Sequence, residues 1–91
     1  MAGSGDSIDV SNNEAEHRFE AKVDGGTAFA SYELRGRDVV FTHTEVPEQS
    51  RGEGVGDALA RAGIDWARGK GLNIVPQCPF IAAYMRRHNA A

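Results

Sequence analysis

Arg51, Gly54 and Gly56 fall in the order Arg-x-x-Gly-x-Gly, with Gly52 between them, just ahead of the longest helix this sequence can form. The opening turn of a helix carries backbone N–H groups with no intrahelical partner, and the macrodipole is positive there. Glycines at 52, 54 and 56 let a phosphate approach those donors without meeting a Cβ. The pattern suits an anion cradle for the pyrophosphate of a nucleotide cofactor. Its donors would be the amides of Gly52, Glu53, Gly54, Val55, Gly56 and Asp57, with Arg51 as a cationic partner. On spacing alone a flexible loop fits equally well, and a solvent-facing arginine is common in loops. Two better-known phosphate motifs are excluded. No Lys-Ser or Lys-Thr follows the glycines, so this is not a P-loop, and Leu59 stands where the dinucleotide fingerprint requires Gly or Ala.

A strand must deliver the chain to that loop and a helix must lead away from it. His17 to Val23 alternates, with Phe19, Ala21 and Val23 on one side and Arg18, Glu20 and Lys22 on the other, the pattern of a half-buried strand. Asp24-Gly25-Gly26 turns the chain into a second strand, Thr27 to Leu34, and Arg35 to Asp38 turns it into a third, Val39 to Val46. These three form an antiparallel meander that Pro47 ends. The helix spans Gly54 to Gly69 with Val55, Ala58, Leu59, Ala62 and Trp66 as its apolar stripe, and Gly69-Lys70-Gly71 stops it. Leu72 to Val75 is a short apolar strand, expected to be buried on both faces. The crossover helix makes it parallel to the third strand. Pro79 suits the first turn of a last helix running to about Arg87, with Phe80, Ala83 and Tyr84 on one face. Arg86, Arg87 and His88 complement the C-terminal end of its dipole, and that structural reading suffices for them. The expected order is β-β-β-α-β-α, an α/β (α+β) domain over residues 14–91 preceded by a disordered tail over residues 1–13.

Ninety-one residues make one small domain with a modest core. A net charge of −3 argues against nucleic-acid binding, which normally needs a basic face. No apolar run approaches the roughly 20 residues that span a bilayer, so no membrane is expected. Neither a signal peptide nor a metal site is expected, since His17, His43 and His88 are scattered. A single cysteine suits a reducing cytosol, which points to a cytoplasmic protein, and nothing on the surface demands a partner, which points to a monomer.

His43-Thr44-x-Val46-Pro47, then Arg51-Gly52-x-Gly54-x-Gly56, then Pro76-x-Cys78-Pro79-Phe80 followed by Tyr84, occur in order over nearly the whole folded region. In these residues the chain from about Phe19 to His88 resembles the GNAT acetyltransferase superfamily, and within it the minimal single-domain group often called YjdJ-type or NATD-like. The resemblance implies that the third and fourth expected strands splay apart to hold acyl-coenzyme A. Pantetheine would bond the backbone near Thr44 and Val46, and pyrophosphate would lie on the loop from Arg51 to Asp57. The domain is shorter than a standard GNAT domain and lacks elements that commonly build the acceptor site.

The resemblance implies transfer of an acetyl group from acetyl-coenzyme A to a primary amine, on a small molecule or a protein lysine. A lysine of pKa about 10.4 is neutral about once in a thousand molecules near pH 7.4, a deficit of about 4 kcal/mol that a base or an apolar pocket must offset. Cys78, directly before Pro79 at a helix start, is favoured there as a thiolate, and it fits a nucleophile as well as it fits a buried small hydrophobe. His43 fits a base, a partner that holds Cys78 as a thiolate, or a satisfied core histidine. Glu45 points to the same side as His43 and fits a proton relay or a solvated carboxylate. Tyr84 corresponds to the tyrosine that many GNAT enzymes use to protonate the leaving thiol, and fits core packing equally. The alternative to an enzyme is an acyl-coenzyme A binding or sensing module.

Overall fold

The computed structural model describes residues 8–89. Its elements are β1 (Ser11–Asn13), β2 (Arg18–Val23), β3 (Gly26–Arg35), β4 (Asp38–Glu45), a short 3-10 turn (Glu48–Ser50), α1 (Val55–Gly69), β5 (Asn73–Pro76) and α2 (Pro79–Asn89). The strands form one sheet in the order β1-β2-β3-β4-β5, antiparallel throughout except for the parallel pair β4/β5. The expected meander is β2 to β4, and the expected parallel strand is β5.

Two local expectations give way. Of the tail expected over residues 1–13, residues 1–7 lie outside the described residues; within the rest, Ser11–Asn13 pair with Arg18 to Glu20 as an edge strand. Tyr32 donates its hydroxyl to Asn12 Oδ1 at 2.8 Å, and Ile8 and Val10 pack on the core. His17 closes the intervening turn at φ 54° and stacks on Tyr32 with ring centres 5.5 Å apart. Polar composition concealed this strand because what holds it is a bond to a residue 20 positions away. Likewise β5, expected to be buried on both faces, is half-buried with Asn73 exposed, because it is the last strand of the sheet.

One sheet face carries Phe19, Ala21, Ala28, Ala30, Tyr32, Val39 and Phe41, and α1 buries Val55, Leu59, Ala60, Ile64 and Ala67 against it. Trp66 closes an aromatic group with Phe19 and Tyr32 at 5.6 and 5.1 Å between ring centres. From α2, Ile81 and Tyr84 join the same buried cluster.

The register of β3 on β4 breaks once. Ser31 faces His43 and Tyr32 faces Phe41, so Thr42 is an extra residue on β4, a β-bulge. Thr42 Oγ1 donates to Ser31 O at 3.4 Å. The bulge resets the alternation. Phe41 faces the core and so does Thr44, which pairs with the fully buried Ala30, whereas His43 and Glu45 pair with Ser31 and Phe29 on the opposite face.

At Gly63 α1 packs tightly on the sheet: a Cβ there would lie 2.8 Å from the Phe41 ring. Gly→Ala inside a helix normally gains about 1 kcal/mol. At Gly63 the overpacking cost of about 1–3 kcal/mol exceeds that gain, so Gly63→Ala should lower the melting temperature. Gly69→Ala, at the end of the same helix with open space around it, should leave it unchanged or raise it. Thermal unfolding of the two variants side by side checks the pair.

Candidate functional site

β4 and β5 stay paired only as far as Phe41 and Pro76. Pro76 has no N–H to give, the N–H of Gln77 turns back to Val75 O at 3.1 Å, and Cys78 N donates to Phe41 O at 2.9 Å as the last backbone bond between the two segments. The chain then enters α2, while β4 runs on to Glu45. Along Thr42–Glu45, β4 has β3 on one side and no β5 residue on the other.

A cleft of about 610 Å³ opens at this divergence. Thr44 and Val46 line it from the end of β4, Ser50, Arg51, Gly52 and Gly54 from the loop, Val55, Gly56 and Asp57 from α1, and Phe80 from α2. The loop is pinned beneath. Ser50, 1% exposed, donates its hydroxyl to Asp24 O at 2.8 Å, which ties the 3-10 turn to the β2–β3 hairpin. Arg51 Nε donates to Val46 O at 3.3 Å and bridges loop and strand.

The three glycines do different work. Gly52 and Gly54 sit at φ 84° and 82°, in the left-handed region that other residues avoid, with nothing within 4 Å of a notional Cβ. Gly54 is the N-cap of α1, so no side chain caps the opening turn, and Val55 is 2% exposed with its side chain in the core. Gly56 is different: a Cβ there would meet the Phe80 ring at 2.7 Å. The space over Gly56, expected to be left for phosphate, belongs to Phe80. Glu53 is exposed on the loop, and Asp57 Oδ1 accepts from Arg87 Nη2 at 3.2 Å.

Thr44 Oγ1 and Cys78 Sγ lie 3.3 Å apart. Cys78 is 4% exposed and sits behind Thr44, as the N-cap of α2 whose carbonyl accepts from Ala82 N. The expected link from His43 to Cys78 is not formed. His43 Nε2 lies 2.8 Å from Glu45 Oε2 on the opposite sheet face, both side chains more than half exposed, beside the Phe29 ring. Without the bulge, alternation from Phe41 would put His43 and Glu45 on the core side; the extra residue reverses them. Nearby on that face Arg18 lies over Phe29 and bonds Glu20, holding its carboxyl below the usual carboxylate range. Tyr84, expected beside the thioester, instead lies in the groove between α1 and α2, stacked on His88 with ring centres 4.2 Å apart. By Tyr84, α2 has carried the chain past the divergence, and the ring turns toward α1.

Ser50 and Phe80 are site residues that sequence reasoning did not single out. Phe80 was legible as part of a helix face and of the Pro76-x-Cys78-Pro79-Phe80 motif but was given no role in the site, and the single residue Ser50 carries no pattern.

Comparison with known proteins places this geometry. Residues 18–91 match the model of the family described as GCN5-related N-acetyl-transferase. The chain is 30% identical over 84 residues to Protein NATD1 of Gallus gallus, covering 89% of this chain and 76% of that one. It is 31% identical over 85 residues to Protein NATD1 of Xenopus tropicalis, covering 90% and 78%. In fold it is similar to the solution structure of a GCN5-like putative N-acetyltransferase from Staphylococcus aureus, with a TM-score of 0.70 at 24% identity over 90% of this chain and 81% of that one.

The division of labour among the glycines has a measurable consequence. Gly54→Ala must hold a left-handed φ, a cost of about 1–2 kcal/mol, which should appear as a lowered melting temperature. Gly56→Ala should displace the Phe80 ring, read as shifted aromatic resonances of Phe80, with a smaller loss of stability because that ring is 38% exposed and free to move.

Proposed function

We propose, from the premise that this chain belongs to the GCN5-related N-acetyltransferase family, that it moves an acetyl group from acetyl-coenzyme A to a primary amine. The observation that carries the reading is the joining of two features in one cleft. One is a strand edge without a neighbour, along Thr44 to Val46. The other is the uncapped, glycine-opened first turn of α1. An unpaired strand edge suits the extended, amide-bearing pantetheine arm, and an uncapped helix start suits the pyrophosphate. Backbone groups at Thr44 and Val46 would hold the arm. The amides of Gly52, Glu53, Gly54, Val55, Gly56 and Asp57 would serve the phosphates, with Arg51 beside them. When bound, the cofactor supplies the activated thioester.

The direct route fits the burial of Cys78. The amine nitrogen bonds to the acetyl carbon, the carbon–sulfur bond breaks, and the leaving thiolate takes a proton. The Thr44 hydroxyl and the Cys78 thiol behind it form the donor pair nearest that end of the cleft. His43, paired with Glu45, takes the amine's proton from the other face of β4. Tyr84 lies in the groove between the helices, which favours Thr44 and Cys78 over it as the donor. A second route, in which Cys78 is acetylated first, draws support from the place of its sulfur, 3.3 Å from the Thr44 hydroxyl that lines the cleft. This reading takes the chain as a cytoplasmic monomer acting on a small-molecule amine or a protein lysine.

Coenzyme A at about a hundred times its dissociation constant should stabilise the protein by about 2.7 kcal/mol and shift the amide resonances of residues 51–57. Dilution heats alone, with those amides unmoved, would sink the proposal. Saturable binding without coenzyme A release from any amine would reduce the protein to a binding module. With labelled acetyl-coenzyme A, Cys78→Ala should still deliver label to an amine, slowed by about a hundredfold for the loss of one proton donor. Label trapped on the native protein, and transfer abolished in the variant, would establish the covalent route instead.

A further inference from the structure

The cradle has an electrostatic problem. Between Glu48 and Asp57 the chain carries three carboxylates, Glu48, Glu53 and Asp57, and a single cation, Arg51. A linked pair of phosphates brings two further negative charges. Arg51 is partly engaged already, with its Nε on Val46 O. Asp57 stands in the first turn of α1, where its charge favours the helix dipole but opposes any anion on the same amides.

α2 answers this. Arg87 reaches back across the groove and places Nη2 3.2 Å from Asp57 Oδ1. Its guanidinium carbon lies 5.6 Å from the centre of the Tyr84 ring, and Tyr84 is itself stacked on His88. An ion pair whose side chains are 53% and 46% exposed contributes little to stability. The guanidinium lies between a carboxylate and an aromatic face, and that carboxylate, Asp57, lines the cleft. Only one of its N–H groups is spent on Asp57, and a guanidinium fork has five.

We infer that Arg87 belongs to the phosphate site: Asp57 and Tyr84 hold its guanidinium at the opening turn of α1, where it supplies the positive charge that the loop lacks. The inference rests on the cofactor reading above and adds a residue from the far end of α2, whose cations the sequence explains by its own helix dipole alone. Two consequences follow from the chemistry. Losing Arg87 leaves Asp57 unpaired beside the phosphates, which penalises binding twice. Removing the charge of Asp57 takes a carboxylate away from the phosphates but also releases the guanidinium, so that substitution weakens binding less than loss of Arg87 does.

The test is calorimetry of the full chain with two probes, coenzyme A and S-acetylpantetheine, which has the same thioester arm and no phosphate. Arg87→Gln should weaken coenzyme A about tenfold, equivalent to roughly 1.4 kcal/mol, make binding less sensitive to salt, and leave S-acetylpantetheine unchanged. Arg87→Lys should recover part of the loss by restoring charge without the planar fork. Asp57→Asn should weaken coenzyme A less than Arg87→Gln does. Coenzyme A affinity within twofold of native in Arg87→Gln would overturn the inference, and so would equal weakening of both probes, which marks a merely structural role. A native chain that binds S-acetylpantetheine but not coenzyme A overturns the inference while sparing the arm's site. One that binds neither overturns the cofactor reading, and the inference with it.

Discussion

The site exists because β4 loses a neighbour partway along its length. Three local facts enforce the loss together. Pro76 cannot donate to a ladder, Gln77 spends its N–H on Val75, and Cys78 delivers the final backbone bond to Phe41 before α2 begins. From Thr42 onward β4 continues with β3 alone beside it. An edge inside a sheet is ordinarily a liability, because its unpaired N–H and C=O groups invite another chain. Here the unpaired stretch is restricted to a few residues flanked by a helix start and a pinned loop.

That restriction depends on the loop being held from below. Ser50 is the one buried polar side chain among the described residues, and its hydroxyl ties the 3-10 turn to Asp24 in the β2–β3 hairpin. Gly25 is part of the same junction: a Cβ on it would fall 2.5 Å from the Gln49 side chain. The hairpin turn and the glycine loop are thus one packed unit, so the donors of α1 are positioned before any ligand arrives. Preorganisation of this kind lowers the entropy lost on binding.

How much of this was legible in the sequence depends on the range of the interaction. The elements from β2 to α2 follow from local signals: alternation over Phe19 to Val23, turn glycines, an apolar stripe in α1, and proline at both ends of the break at residues 76–79. The glycine loop and its place ahead of α1 followed too. What stayed hidden was non-local. The edge strand β1 is anchored by Tyr32, and Gly56 is required by a ring from α2. The side of the sheet on which His43 and Glu45 fall is set by a bulge that leaves no signature in the residues around Thr42. One extra residue reverses every side chain beyond it, so an alternation count from Phe41 must fail there.

The same bulge gives a small domain something that its length would otherwise deny it. With the phase shifted, Thr44 faces the cleft beside Cys78, and its neighbours His43 and Glu45 face outward across the thickness of one strand. Two chemical environments, one facing the cleft with a hydroxyl backed by a buried thiol, the other exposed and carrying an imidazole–carboxylate pair, are therefore separated by a single layer of backbone. Larger domains separate two reactants with added helices and loops. A strand that is unpaired on one edge, and differently furnished on its two faces, does so with four residues, Thr42 to Glu45.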